Sequence, residues 1–143
     1  ILLTAHVGNF EIGGFFLREL GLKVAVVYLE DPSPVVERDR KAARDQLGIR
    51  SIPITSELSA VRILRSLEEG YFVAIQGDRD YAGTGRTLPF LGRSVSFPVG
   101  PFRIAAASGV PCMMIAIFSP ACSIRSRPAT SSSSISLHCV QPK

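Results

Sequence analysis

His6 and Glu11 are the residues best placed, by type and spacing, to move a proton. An imidazole ordinarily titrates near neutrality, and a carboxylate beside it can fix its tautomer, so the two can draw a proton from a hydroxyl. They bound the stretch His6-Val7-Gly8-Asn9-Phe10-Glu11. On a single helix, five steps of roughly 100° would set them on different faces. They converge only if His6 lies in the turn before a helix and Glu11 lies in its first turns. Gly8 gives such a turn backbone freedom, and Asn9 is a good N-cap. The spacing permits the pair without requiring it, since a histidine and a glutamate also fall this close by chance.

A second cluster runs from Gly77 to Arg93 and includes Asp78, Asp80, Arg79, Arg86 and Arg93. Its glycines let backbone approach a ligand, and guanidinium groups hold phosphates or carboxylates. The same stretch also reads as a solvated surface loop with incidental ion pairs. Gly83-x-Gly85 lacks the third glycine of a dinucleotide fingerprint, and no G-x-x-x-x-G-K-[ST] occurs. There is no G-x-S-x-G elbow. The one histidine beside a cysteine, His138, sits in an irregular tail and is set aside. A base with no protein nucleophile points to direct attack by a substrate hydroxyl, hence one-step acyl transfer through a ternary complex.

The elements that must position these residues alternate. Ile1 to Ala5 reads as a buried strand, Asn9 to Leu20 as a helix, and Lys23 to Tyr28 as a second strand. Ser33 offers an N-cap with Pro34 at the first helical position, and Gly48 closes that helix. Arg50 to Ile54 is a short strand, and Leu58, Val61, Leu64 and Leu67 mark an amphipathic helix ended by Gly70. Tyr71 to Gln76 is a strand, residues 77–98 a long loop, Pro101 to Ser108 a helix and Pro111 to Phe118 a last strand. The pattern predicts an α/β domain with a largely parallel sheet flanked by helices, in which sites gather where strand ends meet helix starts. His6 and Asp78 both stand at such junctions. The apolar residues of the first helix, Phe10, Ile12, Phe15, Phe16, Leu17 and Leu20, are expected mostly in the core, with some open to an acyl chain or lipid.

Composition narrows the function. The 143 residues hold 16 basic and 12 acidic side chains, net +4. Residues 119–143 supply three of those charges through Arg125, Arg127 and Lys143, so the rest is nearly balanced. No basic stripe interleaves with aromatics, which argues against nucleic acid. Cys112, Cys122 and Cys139 form no C-x-x-C, which fits a reducing cytosolic setting without a zinc or disulfide framework. No apolar run reaches the ~18 residues that span a bilayer. With no initiating Met and no signal peptide, the chain is expected to begin inside a longer protein. Residues 119–143 have no period and eight serines, and are expected to be low-complexity, disordered or the product of a frameshift.

Thr4-Ala5-His6-Val7-Gly8-Asn9-Phe10-Glu11 resembles the signature block of the bacterial lipid A biosynthesis acyltransferases, the lauroyl/myristoyl group within the lysophospholipid acyltransferase superfamily. Three more stretches resemble the same family in order: Arg44-Asp45-Gln46-Leu47-Gly48, Gly77-Asp78-Arg79-Asp80, and Leu88-Pro89-Phe90-Leu91-Gly92 leading to Ala105–Pro111. The resemblance covers residues 1–118 and implies a partial acyltransferase domain, truncated at both ends. Asp78-Arg79 stands where many members have Asp-Gln, and Leu91 where many have a second Phe. The Asp-Arg-Asp variant is similar to members that acylate other glycolipids, phosphatidylinositol mannosides among them.

The resemblance implies His6 as general base and Glu11 as the carboxylate that holds its tautomer. Arg44 and Asp78 match family positions associated with the site, Asp78 being read as organising it, and substrate contacts are expected at Arg44, Asp78, Arg79, Arg86 and Gly92. Arg44 is read as a phosphate contact or, equally, as a surface charge one turn beyond Arg40. Backbone amides at Gly8 and Asn9 are candidates for stabilising the oxyanion. The expected reaction moves a fatty acyl chain from an acyl-carrier-protein or coenzyme A thioester to a glycolipid hydroxyl in lipid A biosynthesis, or in a phosphatidylinositol mannoside. The expected place is the cytoplasmic face of the bacterial inner membrane, with no bound cofactor. Two competing readings are a nucleotide-sugar glycosyltransferase, which lacks a diphosphate motif here, and an inactive fragment or lipid-binding module.

Overall fold

Short apolar runs punctuated by glycine become alternating strands and helices in the computed structural model, which describes residues 1–7, 10–55, 58–117 and 135–140, the side chains of 10, 11, 116, 117 and 135–140 excepted. The order is β1 (Leu2–Thr4), α1 (Phe10–Glu19), β2 (Val24–Tyr28), α2 (Pro34–Gln46), β3 (Arg50–Pro53), α3 (Ser59–Glu68) and β4 (Phe72–Gln76). β5 (Arg86–Phe90), β6 (Arg93–Phe97), α4 (Gly100–Ser108), β7 (Cys112–Ile117) and β8 (Ile135–Val140) complete it. The main sheet has the order β3-β2-β4-β1-β7-β8. Its first five strands run parallel, and β8 joins β7 antiparallel. This is the expected α/β fold.

Strand alternation sorts the side chains into two faces. Leu3, Ala25, Val27, Ile52, Val73 and Ile75 form one buried cluster with Ile63 of α3, against which Leu67 and α4's Ile104 and Ala105 pack. Removing each such aliphatic from water contributes about 1.5–3 kcal/mol. On the other face α2 lays Arg44 over the Tyr28 ring, and α1 is tied to the end of α2 by Arg18 Nε–H donating to Leu47 O at 2.9 Å. Helices following strands that step one way across the sheet thus share a face, as right-handed crossovers require.

Three expectations change. First, the loop at residues 77–98 contains the β5–β6 hairpin, with Phe90 opposite Arg93 across the two-residue turn Leu91-Gly92. Both turn residues have positive φ, 48° and 76°, the backbone that matches the twist of a tight hairpin. Pro89 hides this strand from a sequence reading. Opposite Ser94 it occupies a non-hydrogen-bonded pair, next to the hydrogen-bonded pair that closes the turn, so its missing N–H costs no ladder bond. Second, Ile12, Phe15, Phe16 and Leu20 of α1 are exposed rather than core. The helix turns Gly13 inward, and Gly14 lies so near Ile49 that an added Cβ would stand 3.2 Å from its Cδ1. Third, residues 135–140, within the segment expected to lack regular structure, form β8, with Cys139 opposite Met113. Ser33 does precede α2 with Pro34 next, but its side chain makes no capping hydrogen bond.

Candidate active site

The site begins with the ladder between β1 and β4. Thr4 lies opposite Gln76, and Gly77 N–H extends the pairing by donating to Thr4 O at 2.8 Å. The two chains therefore leave the sheet side by side, and two residues later His6 and Asp78 meet. A glycine is required at 77, because a Cβ there would stand 2.5 Å from Cδ1 of the buried Leu3. β1 leads to α1 on one face, whereas β4 leads through the hairpin to α4 on the other. Carboxyl ends of parallel strands at such a divergence are where open α/β sheets bind ligands.

His6 Nδ1 is 2.9 Å from Asp78 Oδ1 and 3.1 Å from Oδ2, and the His6 backbone N–H donates to Oδ2 at 3.1 Å. Burial alone would raise the Asp78 pKa. Hydrogen bonds from the His6 ring and backbone outweigh it and hold the carboxyl below its ordinary value. An ionised carboxylate only accepts, so Nδ1 donates, and in the neutral form of the ring the lone pair is then on Nε2. That is the tautomer a general base needs. The side chains are 26% and 29% exposed, shielded from bulk water yet reachable.

Sequence reasoning placed Asp78 at a strand end but gave the orienting task to Glu11, five residues from His6. Asp78, 72 positions away, makes the described bonds to the ring. No local pattern announces that partner; only the parallel β1–β4 pairing does. Glu11 lies in the first turn of α1, and its side chain falls outside the described residues, as do Gly8 and Asn9 with the expected oxyanion amides.

Of the other expected residues, Arg44 is engaged away from the dyad. Arg44 donates from Nε to Ser51 Oγ at 2.9 Å and from a terminal nitrogen to Glu37 Oε1 at 3.1 Å, and its guanidinium stacks 4.1 Å from the Tyr28 ring centroid. These contacts fasten α2 to β2 and β3, with β4 between them and the His6 strand. Arg79 is exposed beside Asp78, Arg86 opens β5, and Gly92 is the second residue of the hairpin turn. One group was not anticipated: Gln76 Nε2 is buried with no hydrogen-bond partner among the described residues, at the strand end nearest the dyad. A buried amide left so is a donor that a substrate oxygen can satisfy. Among the described residues no cluster of His, Cys, Asp and Glu could hold a metal ion, and no helix is long and apolar enough to cross a membrane.

Fold and dyad together define an α/β domain that presents a carboxylate-held histidine at the carboxyl ends of two central parallel strands. The chain belongs to the bacterial lipid A biosynthesis acyltransferase family, whose model matches residues 1–133. The phosphatidylinositol mannoside acyltransferases of Mycobacterium tuberculosis strains CDC 1551 / Oshkosh and ATCC 25618 / H37Rv are each 27% identical to it over 112 residues, 76% of this chain. The chain spans 35% of the length of each of these relatives.

Proposed function

We propose that this protein is an O-acyltransferase that moves a fatty acyl chain from a thioester donor to a glycolipid hydroxyl. The observation that carries the reading is the His6 Nδ1–Asp78 hydrogen bond of 2.9 Å, which selects, in the neutral ring, the tautomer whose Nε2 acts as base. Nε2 takes the proton of the acceptor hydroxyl as its oxygen attacks the thioester carbonyl carbon. The tetrahedral intermediate collapses with formation of the ester C–O bond and loss of the C–S bond, and the imidazolium returns its proton to the leaving thiolate. Asp78 keeps the ring in register and balances its transient charge. By the family motif, Glu11 shares the task of supporting the imidazolium.

The donor is an acyl-carrier-protein or coenzyme A thioester, and the acceptor sits in a membrane at the cytoplasmic face of the bacterial inner membrane. The Asp78-Arg79-Asp80 variant and the named activity of the two mycobacterial relatives favour a phosphatidylinositol mannoside over a lipid A precursor. Membranes carrying wild-type or His6→Ala protein, given a labelled acyl thioester and both acceptors, test this by mass spectrometry of the product. A His6-dependent acylated mannoside is expected. Equal product from well-expressed His6→Ala protein would reject His6 as the base.

A further inference from the structure

The β5–β6 hairpin is used neither by the dyad nor by the main sheet. Among the described strands it pairs only with itself. Its register puts Arg86, Leu88, Phe90, Arg93, Val95 and Phe97 on one face, and the Phe90 and Phe97 rings meet edge-on at 5.6 Å. The tip is unusually bare for apolar groups: Leu88 is 43% exposed, Phe90 52% and Leu91 88%. Charge is equally one-sided. From Tyr81 to Pro98 there is no acidic residue, and Arg86 and Arg93 are exposed without an ion pair among the described residues. The acid nearest in sequence, Asp80, is already engaged, its Oδ2 accepting from Gly85 N–H and Ser96 Oγ at 2.8 Å each. An apolar tip with Arg93 beside it and Arg86 on the same face at the hairpin's other end matches one environment well, the boundary between anionic headgroups and acyl chains.

We propose that the β5–β6 hairpin docks the protein on an anionic lipid surface, with Phe90 and Leu91 among the upper acyl chains and Arg86 and Arg93 on lipid phosphates. The docking is shallow. Arg86 and Arg93 share a face but stand at opposite ends of the hairpin, so it lies tilted with that face toward the surface and only its tip below the phosphates. Asp80 holds the hairpin's base two residues from Asp78, so a docked hairpin brings the dyad to the surface where a lipid acceptor lies. The inference rests on the reading of a membrane glycolipid as acceptor.

Co-sedimentation of the full chain with vesicles of phosphatidylcholine, alone or mixed with phosphatidylglycerol, tests it. Wild-type protein is expected to partition to the anionic vesicles and to release as salt rises. Arg86→Gln/Arg93→Gln should lower that partition about 30-fold, from ~1 kcal/mol for each basic residue at an anionic surface. Leu91→Asn should lower it about fivefold or more through lost apolar insertion. The latter variant is fold-safe, because asparagine tolerates the positive φ at position 91. Wild-type protein that ignores anionic vesicles, or variants that partition as wild type does, would overturn the proposal. So would variants that keep vesicle binding but lose affinity for an acidic carrier protein, which would make the hairpin a protein dock. Binding needs neither thioester nor acceptor. Hairpin-dependent binding without His6-dependent transfer therefore strikes the acyl-transfer reading alone, and transfer with hairpin-independent binding strikes this inference alone.

Discussion

Asp78→Asn probes the dyad with the smallest possible change in shape. Oδ2 of Asp78 accepts from the His6 backbone N–H at 3.1 Å, and Oδ1 lies 2.9 Å from Nδ1. An asparagine must put its oxygen at one of these positions and its NH2 at the other. With the oxygen facing the backbone N–H, the NH2 faces Nδ1 and donates to it, which favours the ring proton on Nε2, where it leaves no lone pair for the substrate. With the groups reversed, two N–H donors meet at the backbone. In the first arrangement the oxygen keeps only the longer 3.1 Å contact to Nδ1 while the NH2 stands at the 2.9 Å position. Both arrangements disfavour the base-competent tautomer, so kcat should fall roughly 10²–10⁴-fold, or ~2.7–5.4 kcal/mol of barrier. The stability loss should be only about 1–3 kcal/mol, since one charge-assisted hydrogen bond of a partly exposed pair is altered. Single-turnover acyl transfer, with urea unfolding in parallel, separates the two effects. A folded Asp78→Asn protein with kcat within about threefold of wild type would falsify the assignment of Asp78 as the orienting carboxylate.

Glu11→Gln in the same assay should reduce transfer less than Asp78→Asn; the reverse order would return the orienting role to Glu11. Gln76→Leu should raise the unfolding free energy by about 1–3 kcal/mol by removing a buried donor without a partner, while lowering transfer. Gain of stability with unchanged transfer would make Gln76 a packing residue only. Gly85→Ala should loosen the hairpin base, since a Cβ there would collide with Phe97 O and lie 2.5 Å from Asp80 Oδ2, seen as faster amide exchange over residues 86–97. The Asp78 carboxyl is held below its ordinary value of 3.8 in the folded chain. Its contribution to stability is therefore present above that value and lost as pH falls through the lower folded-state value. The stability difference between wild type and Asp78→Asn should close over that acid range, and a difference that persists below it would contradict the linkage.

The strands and helices of the sheet were legible because their signals are local. Lys23–Tyr28 needs only β-branched residues bounded by glycine and proline, and β2 follows at Val24–Tyr28. Leu58, Val61, Leu64 and Leu67 needed only helical spacing to announce α3. The hairpin failed the same test because Pro89 and a Leu91-Gly92 turn break the usual strand and turn patterns, though register makes the proline harmless. α1 misled for a different reason. Periodicity finds an apolar stripe but cannot tell which face meets the sheet, and here Gly13 and Gly14 permit the close approach that leaves the phenylalanines outside. The site was half legible. His6 stands in a motif, while the aspartate on its Nδ1 is fixed by strand order, which no single stretch of residues encodes.

The segment Gly77-Asp78-Arg79-Asp80 explains why a nonlocal site and an exposed hairpin occur together. Two carboxylates two residues apart turn to opposite tasks: Asp78 holds the imidazole, and Asp80 gathers Gly85 N–H and Ser96 Oγ to close the hairpin base. Hydrogen bonds from Ser96 and the Gly85 backbone hold the Asp80 carboxyl below its ordinary value, so both groups are ionised when the dyad works. Neither can be exchanged for a neutral residue without loosening one end of a short rigid link. Gly77 N–H ties the start of that link to β1 at 2.8 Å, and Asp80 ties its end to the hairpin. Under the proposed docking, a surface that captures the hairpin would set how far the imidazole stands from it, the constraint that the proposed transfer between a membrane acceptor and an aqueous thioester would impose.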